Sequence, residues 1–269
     1  MSAHWTLDDI PWHEFDATKV DPDLLRIAKA ASMVERNAND YAVYLCNIFD
    51  DDPEFQEAAR YWAKEEEQHG EALRRWAELA DKAFDFKKSF SRFTDGFRIP
   101  VESLSSVRGS RTGELISRCI VEVGTSSYYS ALADASDEPV LKAICRNIAG
   151  DEFRHYKLFY THMKRYYPKD RLNILKRLRI ALGRIIESED DELAFAYFCA
   201  NDEREPYIRK KSGGEYLKRA YRYYQVRHLE RALAMTMKAA AIRVSDRNLR
   251  RLAKGAHRIM QWRVRKHAA

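Results

Sequence analysis

The 269-residue chain has few of the residues that interrupt helices, with ten glycines and seven prolines. In a sequence otherwise rich in Ala, Leu, Arg, Lys and Glu, that scarcity argues against a loop-rich or β-rich fold and predicts an all-α protein. No run of about 18 uncharged apolar residues occurs, so no membrane-spanning helix is expected. Met1 to Phe15 contains acids and no apolar stretch, so no secretory signal is expected either. Cys46, Cys119, Cys145 and Cys199 are nowhere closer than 26 residues apart. That spacing argues against a CxxC metal ribbon or a disulfide framework and leaves them as core residues, with the reducing cytoplasm as the expected compartment. No flavin or nucleotide motif is visible. Acid is scarce in one region: residues 204–269 carry 19 Lys or Arg against four acids, so much of the net charge of +6 belongs to the C-terminal quarter.

Against this background one pattern stands out. Glu66-Glu67-Gln68-His69 and Glu152-Phe153-Arg154-His155 are both Glu-x-x-His, and each is preceded by a lone glutamate, Glu35 or Glu122. The two sets are related by shifts of 87 residues for the lone glutamates and 86 for the others. A single Glu-x-x-His on a helix is most often a solvated charge pair. Here, however, all six residues fall on helical seams otherwise filled by Ala, Leu, Phe, Trp and Cys. Four carboxylates gathered in an apolar core require neutralising charge, and two divalent cations supply it. The i, i+3 spacing puts each Glu and His on one helical face, where both reach the same site. Glu35, Glu66, His69, Glu122, Glu152 and His155 are therefore the candidate ligands of a di-metal centre within a four-helix bundle. Oxygen-rich ligands with one imidazole per metal and no thiolate suit iron or manganese and argue against structural zinc.

The elements support that placement. After an irregular arm over residues 1–20, Asp21-Pro22 opens a first helix with a seam running Leu24, Ala28, Ala31, Glu35, Ala38, Ala42, Leu45, Phe49. A break at Asp50 to Pro53 makes the second helix its antiparallel neighbour. Glu35 lies 16 residues before Asp51 and Glu66 lies 15 after it, so the two meet at one level. The third and fourth helices, from about Gly113 to Ser136 and from Pro139 to Pro168, repeat this about Asp137, with Glu122 and Glu152 each 15 residues away. Residues 83–112, interrupted by Gly96, Pro100 and Gly109, are expected as a long crossover between the halves. The bundle is thus assigned to residues 21–168 and additional helices to 169–269. A fifth helix is expected over 170–200, with Leu175, Leu178, Leu182, Ile185 and Ile186 inward and an acidic band from Glu187 to Glu192. A break is expected at Gly213-Gly214, then two basic helices over 215–243 and 246–266.

Glu65 and Asp151 each immediately precede a ligand glutamate. A carboxylate there would accept the free imidazole N–H of the histidine from the opposite half; the plainer alternative is a solvent-facing acid. The run Gly124, Thr125, Ser126, Ser127 has little bulk and would leave a channel beside the cluster, with Tyr128 and Tyr129 as walls; core packing is the alternative for the tyrosines.

These motifs resemble the ferritin-like di-iron carboxylate superfamily and, within it, the soluble acyl-carrier-protein desaturases. The matching runs are Trp62-Ala63-Lys64-Glu65-Glu66-Glu67-Gln68-His69-Gly70, Asp151-Glu152-Phe153-Arg154-His155 and Glu122-Val123-Gly124-Thr125, and the resemblance covers roughly residues 22–166. The first helix departs from it, since Val34-Glu35-Arg36-Asn37 lacks the family's acidic pair, and residues 200–269 do not align. The resemblance implies a ferritin-like bundle, two iron ions and an external electron donor such as a ferredoxin. It implies a proton-delivery role for Thr125, for which an ordinary hydroxyl bonded to a backbone carbonyl is the alternative. It also implies that Asp151 stands on an electron route from a surface Trp, with Trp5 and Trp12 as candidates.

The leading function is O2-dependent desaturation or hydroxylation of an unactivated C–H bond in a fatty-acyl or other apolar chain. The alternatives are ferroxidase or peroxide handling, di-iron hydroxylation of a nucleic-acid substrate, and a non-enzymatic role in which metals staple the bundle. A Tyr four residues after the first ligand histidine, as in a ribonucleotide reductase radical subunit, is absent: that residue is Leu73. The basic C-terminal helices suit an acidic partner, whether an acyl carrier protein, a ferredoxin, anionic headgroups at a membrane surface, or RNA. Desaturase-like relatives are often homodimers, so a second copy of the chain is an expected partner.

Overall fold

Prolines open three of the bundle's helices, each behind an acid that caps it. Asp21 accepts from Asp23 N (2.7 Å) and Leu24 N (3.1 Å) ahead of Pro22. Asp52 accepts from Phe55 N (3.2 Å) ahead of Pro53, and Glu138 accepts from Leu141 N (2.7 Å) ahead of Pro139. The structure, a computed structural model, describes residues 4–187, 191–202 and 206–266. Its helices are α1 (Pro22–Arg36), α2 (Ala38–Ile48), α3 (Pro53–Ala80), α4 (Phe86–Gly96), α5 (Arg111–Ala135) and α6 (Pro139–Asp170). They are followed by α7 (Ile174–Glu187), α8 (Asp191–Asn201), α9 (Arg209–Arg222), α10 (Val226–Ala239) and α11 (Asp246–Lys266). Among the described residues there is no strand, so the chain is all-α with a ferritin-like bundle.

Within the bundle α1 and α2 run along α3, α5 runs along α6, and α3 meets α6. Two apolar clusters fill it, one containing Leu24, Ile27, Leu73, Trp76, Leu132 and Ile144, the other Leu45, Phe55, Trp62, Leu115, Cys119 and Phe159. Along every helix the polar candidates fall where one cluster gives way to the other. On α1 and α2, for example, Glu35 lies between Met33 of the first cluster and Ala38 of the second. The buried acids therefore form a layer between two apolar blocks.

Several elements differ from the sequence expectation. The first helix is split at Asn37 (φ −87°, ψ 8°), two residues after Glu35. The split falls beside a close approach of α3 to α1: a Cβ at Gly70 would lie 2.7 Å from Arg36 N and 2.9 Å from Ser32 O. Within the crossover, Asp85 caps α4 through Lys88 N (3.0 Å), and Phe86 and Phe93 are buried; α4 packs on α8. Phenylalanines at helical spacing outweigh the breakers, which lie at or beyond that helix's end. The fourth helix passes Pro168 and ends at Arg171, whose φ of 45° is left-handed. Proline in a last turn removes one hydrogen bond and leaves the remaining residues of the turn free to stay helical.

The expected fifth helix is two, α7 and α8; residues 188–190 of its acidic band lie outside the described residues. On α7 the inward residues are Arg177 and Ala181, whereas Leu175, Leu182, Ile185 and Ile186 are exposed and Leu178 half-buried. Glu187 and Glu192 both have partners: Arg108 Nη1 donates to the half-exposed Glu187 (2.8 Å) and Tyr41 OH to the buried Glu192 (2.8 Å). Gly213 and Gly214 lie inside α9 rather than breaking it. A Cβ at Gly213 would meet Ala194 Cβ at 3.4 Å, an ordinary contact, where α9 packs on α8. The basic region forms three helices, with breaks around Tyr223 to Gln225 and at Ala241, which has φ 52°. Here α9 packs on α8, α10 on α5, and α11 on α9 and α10.

Candidate metal centre

The six sequence-selected residues come together and all are buried. They form two overlapping groups: Glu35, Glu66, His69 and Glu152, and Glu66, Glu122, Glu152 and His155, each able to bring one atom per residue within 4.8 Å of the others. Glu66 and Glu152, the acids of the two Glu-x-x-His motifs, belong to both groups. Glu35 with His69 and Glu122 with His155 complete one side each.

Each imidazole turns the same edge to the acids. His69 Nδ1 lies 3.1 Å from Glu66 and 3.5 Å from Glu152; His155 Nδ1 lies 3.0 Å from Glu66 and 3.5 Å from Glu122. The Nε2 edges face outward to carboxylates of the opposite half, His69 to Asp151 at 3.0 Å and His155 to Glu65 at 2.7 Å. Arg154 lies 2.5 Å from Asp151 and 3.3 Å from Glu65, so one guanidinium faces both outer carboxylates.

Thr125 Oγ1 lies 2.6 Å from Glu152 Oε2 and 3.1 Å from the carbonyls of Val121 and Glu122. Both sequence-derived readings of this hydroxyl thus have a partner within reach. Of the two candidate tryptophans, Trp5 Nε1 donates to Asp151 Oδ2 at 2.8 Å, and its ring stacks on His69. Trp12 instead donates to Leu7 O (2.7 Å) and lies against the guanidinium of Arg75. Gln68 Nε2 donates to Trp5 O (3.0 Å), tying the N-terminal arm to α3.

Tyr129 is not a channel wall: its hydroxyl donates to Glu35 Oε1 from a buried position, and Tyr128 is buried beside it. This partner of Glu35 was missed in the sequence. Its signal was there, because Tyr129 stands seven residues after Glu122 on the same helical face.

Charge at the centre is strongly unbalanced. Burial pushes Glu35 well above the usual carboxylate range, and Glu66 and Glu152 add repulsion. Burial likewise raises Glu122. Burial also opposes ionisation of Glu66, yet His155 and His69 outweigh it and hold that carboxyl well below its ordinary range. For the two histidines, burial opposes the charged form, but the surrounding carboxylates hold both imidazoles well above their usual value. Protons and cations therefore compete for the same places. Both oxygens of Glu122, Glu152 Oε1 and His155 Nδ1 are buried without a hydrogen-bond partner. Buried polar atoms left so are costly, and a cation seated among them satisfies all four. The donor set, chiefly carboxylate oxygen with one imidazole nitrogen per side, fits hard divalent metals such as iron or manganese.

Residues 47–186 match the sequence model of a family described as fatty acid desaturase. The matched segment, more than half of the chain, contains Glu66, His69, Glu122, Glu152 and His155; Glu35 and Trp5 precede it, and α8 to α11 lie beyond its end. No curated protein matches the chain.

Proposed function

Because this chain belongs to the fatty acid desaturase family, we propose that it is an oxidoreductase that holds two iron ions and uses O2 to desaturate or hydroxylate an acyl or other apolar chain. The observation that carries this reading is the pair of overlapping buried clusters sharing Glu66 and Glu152. Iron bound there would supply O2 activation and the oxidation of an unactivated C–H bond. For desaturation, O2 would take two electrons and two protons from the acyl chain, two electrons from an external donor and two protons from solvent, and leave as two waters, with the chain gaining one double bond.

The protein's own residues do the remaining work. Glu35, Glu122, His69 and His155 each serve one side, and Glu66 and Glu152 span both. Asp151 and Glu65 hold His69 and His155 with Nδ1 turned inward, fixing the tautomer that ligation requires. Tyr129 orients Glu35. Thr125, half-buried at the Glu152 carboxylate, is placed to hand a proton toward the centre. Trp5, Asp151 and His69 form a continuous contact from the N-terminal arm to the cluster, which supports them as the path by which an external donor's electrons arrive. Among the described residues no helix is long and apolar enough to cross a membrane.

The test is reconstitution with ferrous iron under anaerobic conditions, metal counting, and O2 addition with a reductant and saturated acyl substrates. Two irons per chain, lost in Glu66→Ala and Glu152→Ala, with O2-dependent formation of an unsaturated or hydroxylated product, are expected. A chain that binds no iron, or binds it without oxidising any acyl substrate, would overturn the reading.

A further inference from the structure

A half-open cavity of about 530 Å3 lies between α5, α6 and α10, outside the metal centre. It is within the size range of small-molecule sites, roughly 300–1,000 Å3. The small-residue run does border a cavity, but through Ser126 and Ser127 rather than between the two tyrosines. The inner wall reaches Ser126, one turn after Glu122, and Ala149, one turn before Glu152; Ser126 Oγ donates to Ala149 O (2.9 Å) across the seam. Val123 and Met235 add apolar surface. Gly150 keeps one side clear, since a Cβ there would meet nothing within 4 Å.

The rim has a different character. Arg146 of α6 and Arg227 and Arg231 of α10 line it against a single carboxylate, Asp134. That aspartate is already engaged, taking Arg227 at 2.7 Å and His228 Nε2 at 2.8 Å. Gln225 N donates to His228 Nδ1 (3.1 Å), so the ring carries its proton on Nε2 and donates it to Asp134. Arg231 rests on the Phe153 ring (5.3 Å), and neither it nor Arg146 has a carboxylate partner among the described residues. Two exposed guanidiniums thus stand at the mouth of a cavity whose inner surface mixes serines with Val123, Ala133, Ala149, Ala232 and Met235, and their planar donors suit a carboxylate or phosphate.

We propose that this cavity binds a small amphipathic anion, its carboxylate or phosphate head held by Arg146 and Arg231 and its apolar tail lying inward past Gly150 toward Ser126. Its identification as the protein's substrate rests on the reading above; the binding site itself does not. Arg146 of α6 lies within the segment matched by the family and Arg231 of α10 lies beyond it, so the head-group site joins the two parts of the chain. The positive charge converges on one cavity mouth, which favours a small molecule over a carrier protein.

The experiment titrates the full-length protein, stripped of metal, with dodecanoate, dodecyl phosphate and dodecanol, with binding read by calorimetry. Saturable binding of one anion per chain is expected, with dodecanol about tenfold weaker or worse, as loss of a charge-assisted hydrogen bond implies. The comparison of carboxylate with phosphate identifies the preferred head. Arg146→Glu with Arg231→Glu should remove the anion's advantage and leave dodecanol binding unchanged. Gly150→Leu should weaken all three ligands, and Ala232→Trp, filling the cavity from α10, should do the same should the glycine variant fold poorly. Equal binding of the alcohol and the anions, or full binding in both filled variants, would overturn the proposal. So would binding of an acyl chain only when it is attached to a carrier protein. Iron counting on separate portions keeps the two readings apart: two irons with neither dodecanoate nor dodecyl phosphate bound overturns only the cavity, and anion binding without iron overturns only the metal centre.

Discussion

The indole of Trp5 lies flat on the imidazole of His69, with ring centroids 5.9 Å apart and planes 4° from parallel. The same indole donates to Asp151, the carboxylate that His69 Nε2 also contacts, so three groups from the N-terminal arm, α3 and α6 share one small polar triangle. Trp5→Phe keeps an aromatic ring against His69 but removes the N–H to Asp151. Under the proposed function, iron content should be unchanged while reduction of the loaded protein by a ferredoxin slows about tenfold. Stopped-flow reduction measures it, and an unaltered rate would remove Trp5 from the electron path.

Glu65 and Asp151 perform equivalent roles on the two histidines. Glu65→Gln replaces an acceptor by a group that can still hydrogen bond but no longer balances imidazole charge. Metal affinity on the His155 side should fall roughly 10- to 100-fold, the usual cost of losing such a partner. Competition titration with a chelator is the check, and a loss equal on both sides would contradict the assignment of Glu65 to His155.

Gly70 allows α3 to touch the α1 backbone beside Glu35. Gly70→Ala places a methyl 2.7 Å from Arg36 N and 2.9 Å from Ser32 O, both backbone atoms that move only with the helix. The expected cost is about 1–3 kcal/mol of stability, with α1 and Glu35 displaced. Thermal unfolding and metal counting should show a lowered midpoint together with loss of the Glu35 side of the centre.

Thr125→Val removes the hydroxyl 2.6 Å from Glu152 while keeping the side chain's shape. Iron stoichiometry should persist and O2-dependent product formation should fall about 10²-fold, the scale of a lost proton-transfer group. Thr125→Ser should restore most of it. Wild-type rates in Thr125→Val would leave the hydroxyl with its backbone bonds alone.

The metal-stripped protein should lose stability as pH rises. Glu35 and Glu122 are raised above their ordinary 4.5, and His69 and His155 above 6.5, so the folded chain binds those protons more tightly than the unfolded chain. Their contribution is complete below those ordinary values and disappears as pH climbs through the raised ones. Glu66 has the opposite sign, its contribution present above 4.5 and lost as pH falls. Of these five groups only the raised ones still titrate above pH 6.5, and their contribution slopes downward. Metal replaces these protons, so loading should abolish the slope and metal affinity should increase with pH. Denaturant titrations of stripped and loaded protein across that window decide it.

Local pattern alone determined much of this protein. The six polar residues interrupt apolar seams at matched distances from Asp51 and Asp137, and helical rise then puts them at one level whatever the rest of the chain does. Acid-proline pairs marked the starts of α1, α3 and α6 for the same local reason. The tertiary structure decided what depends on contact between distant segments. Trp5 rather than Trp12 reaches Asp151, because residues 63 positions apart, Trp5 and Gln68, are joined by a hydrogen bond. Tyr129 turns to Glu35 because α5 faces α1 across the layer of acids. Gly213 and Gly214 lie within α9, where the run packs against α8, a contact with no trace in the composition of that run. On α7 Leu175, Leu182, Ile185 and Ile186 face outward and Ala181 inward, since periodicity identifies an apolar face but not how much of it another helix arrives to cover. The arginine-rimmed cavity exists only because α10 folds back over α5, bringing residues about a hundred positions apart to one wall.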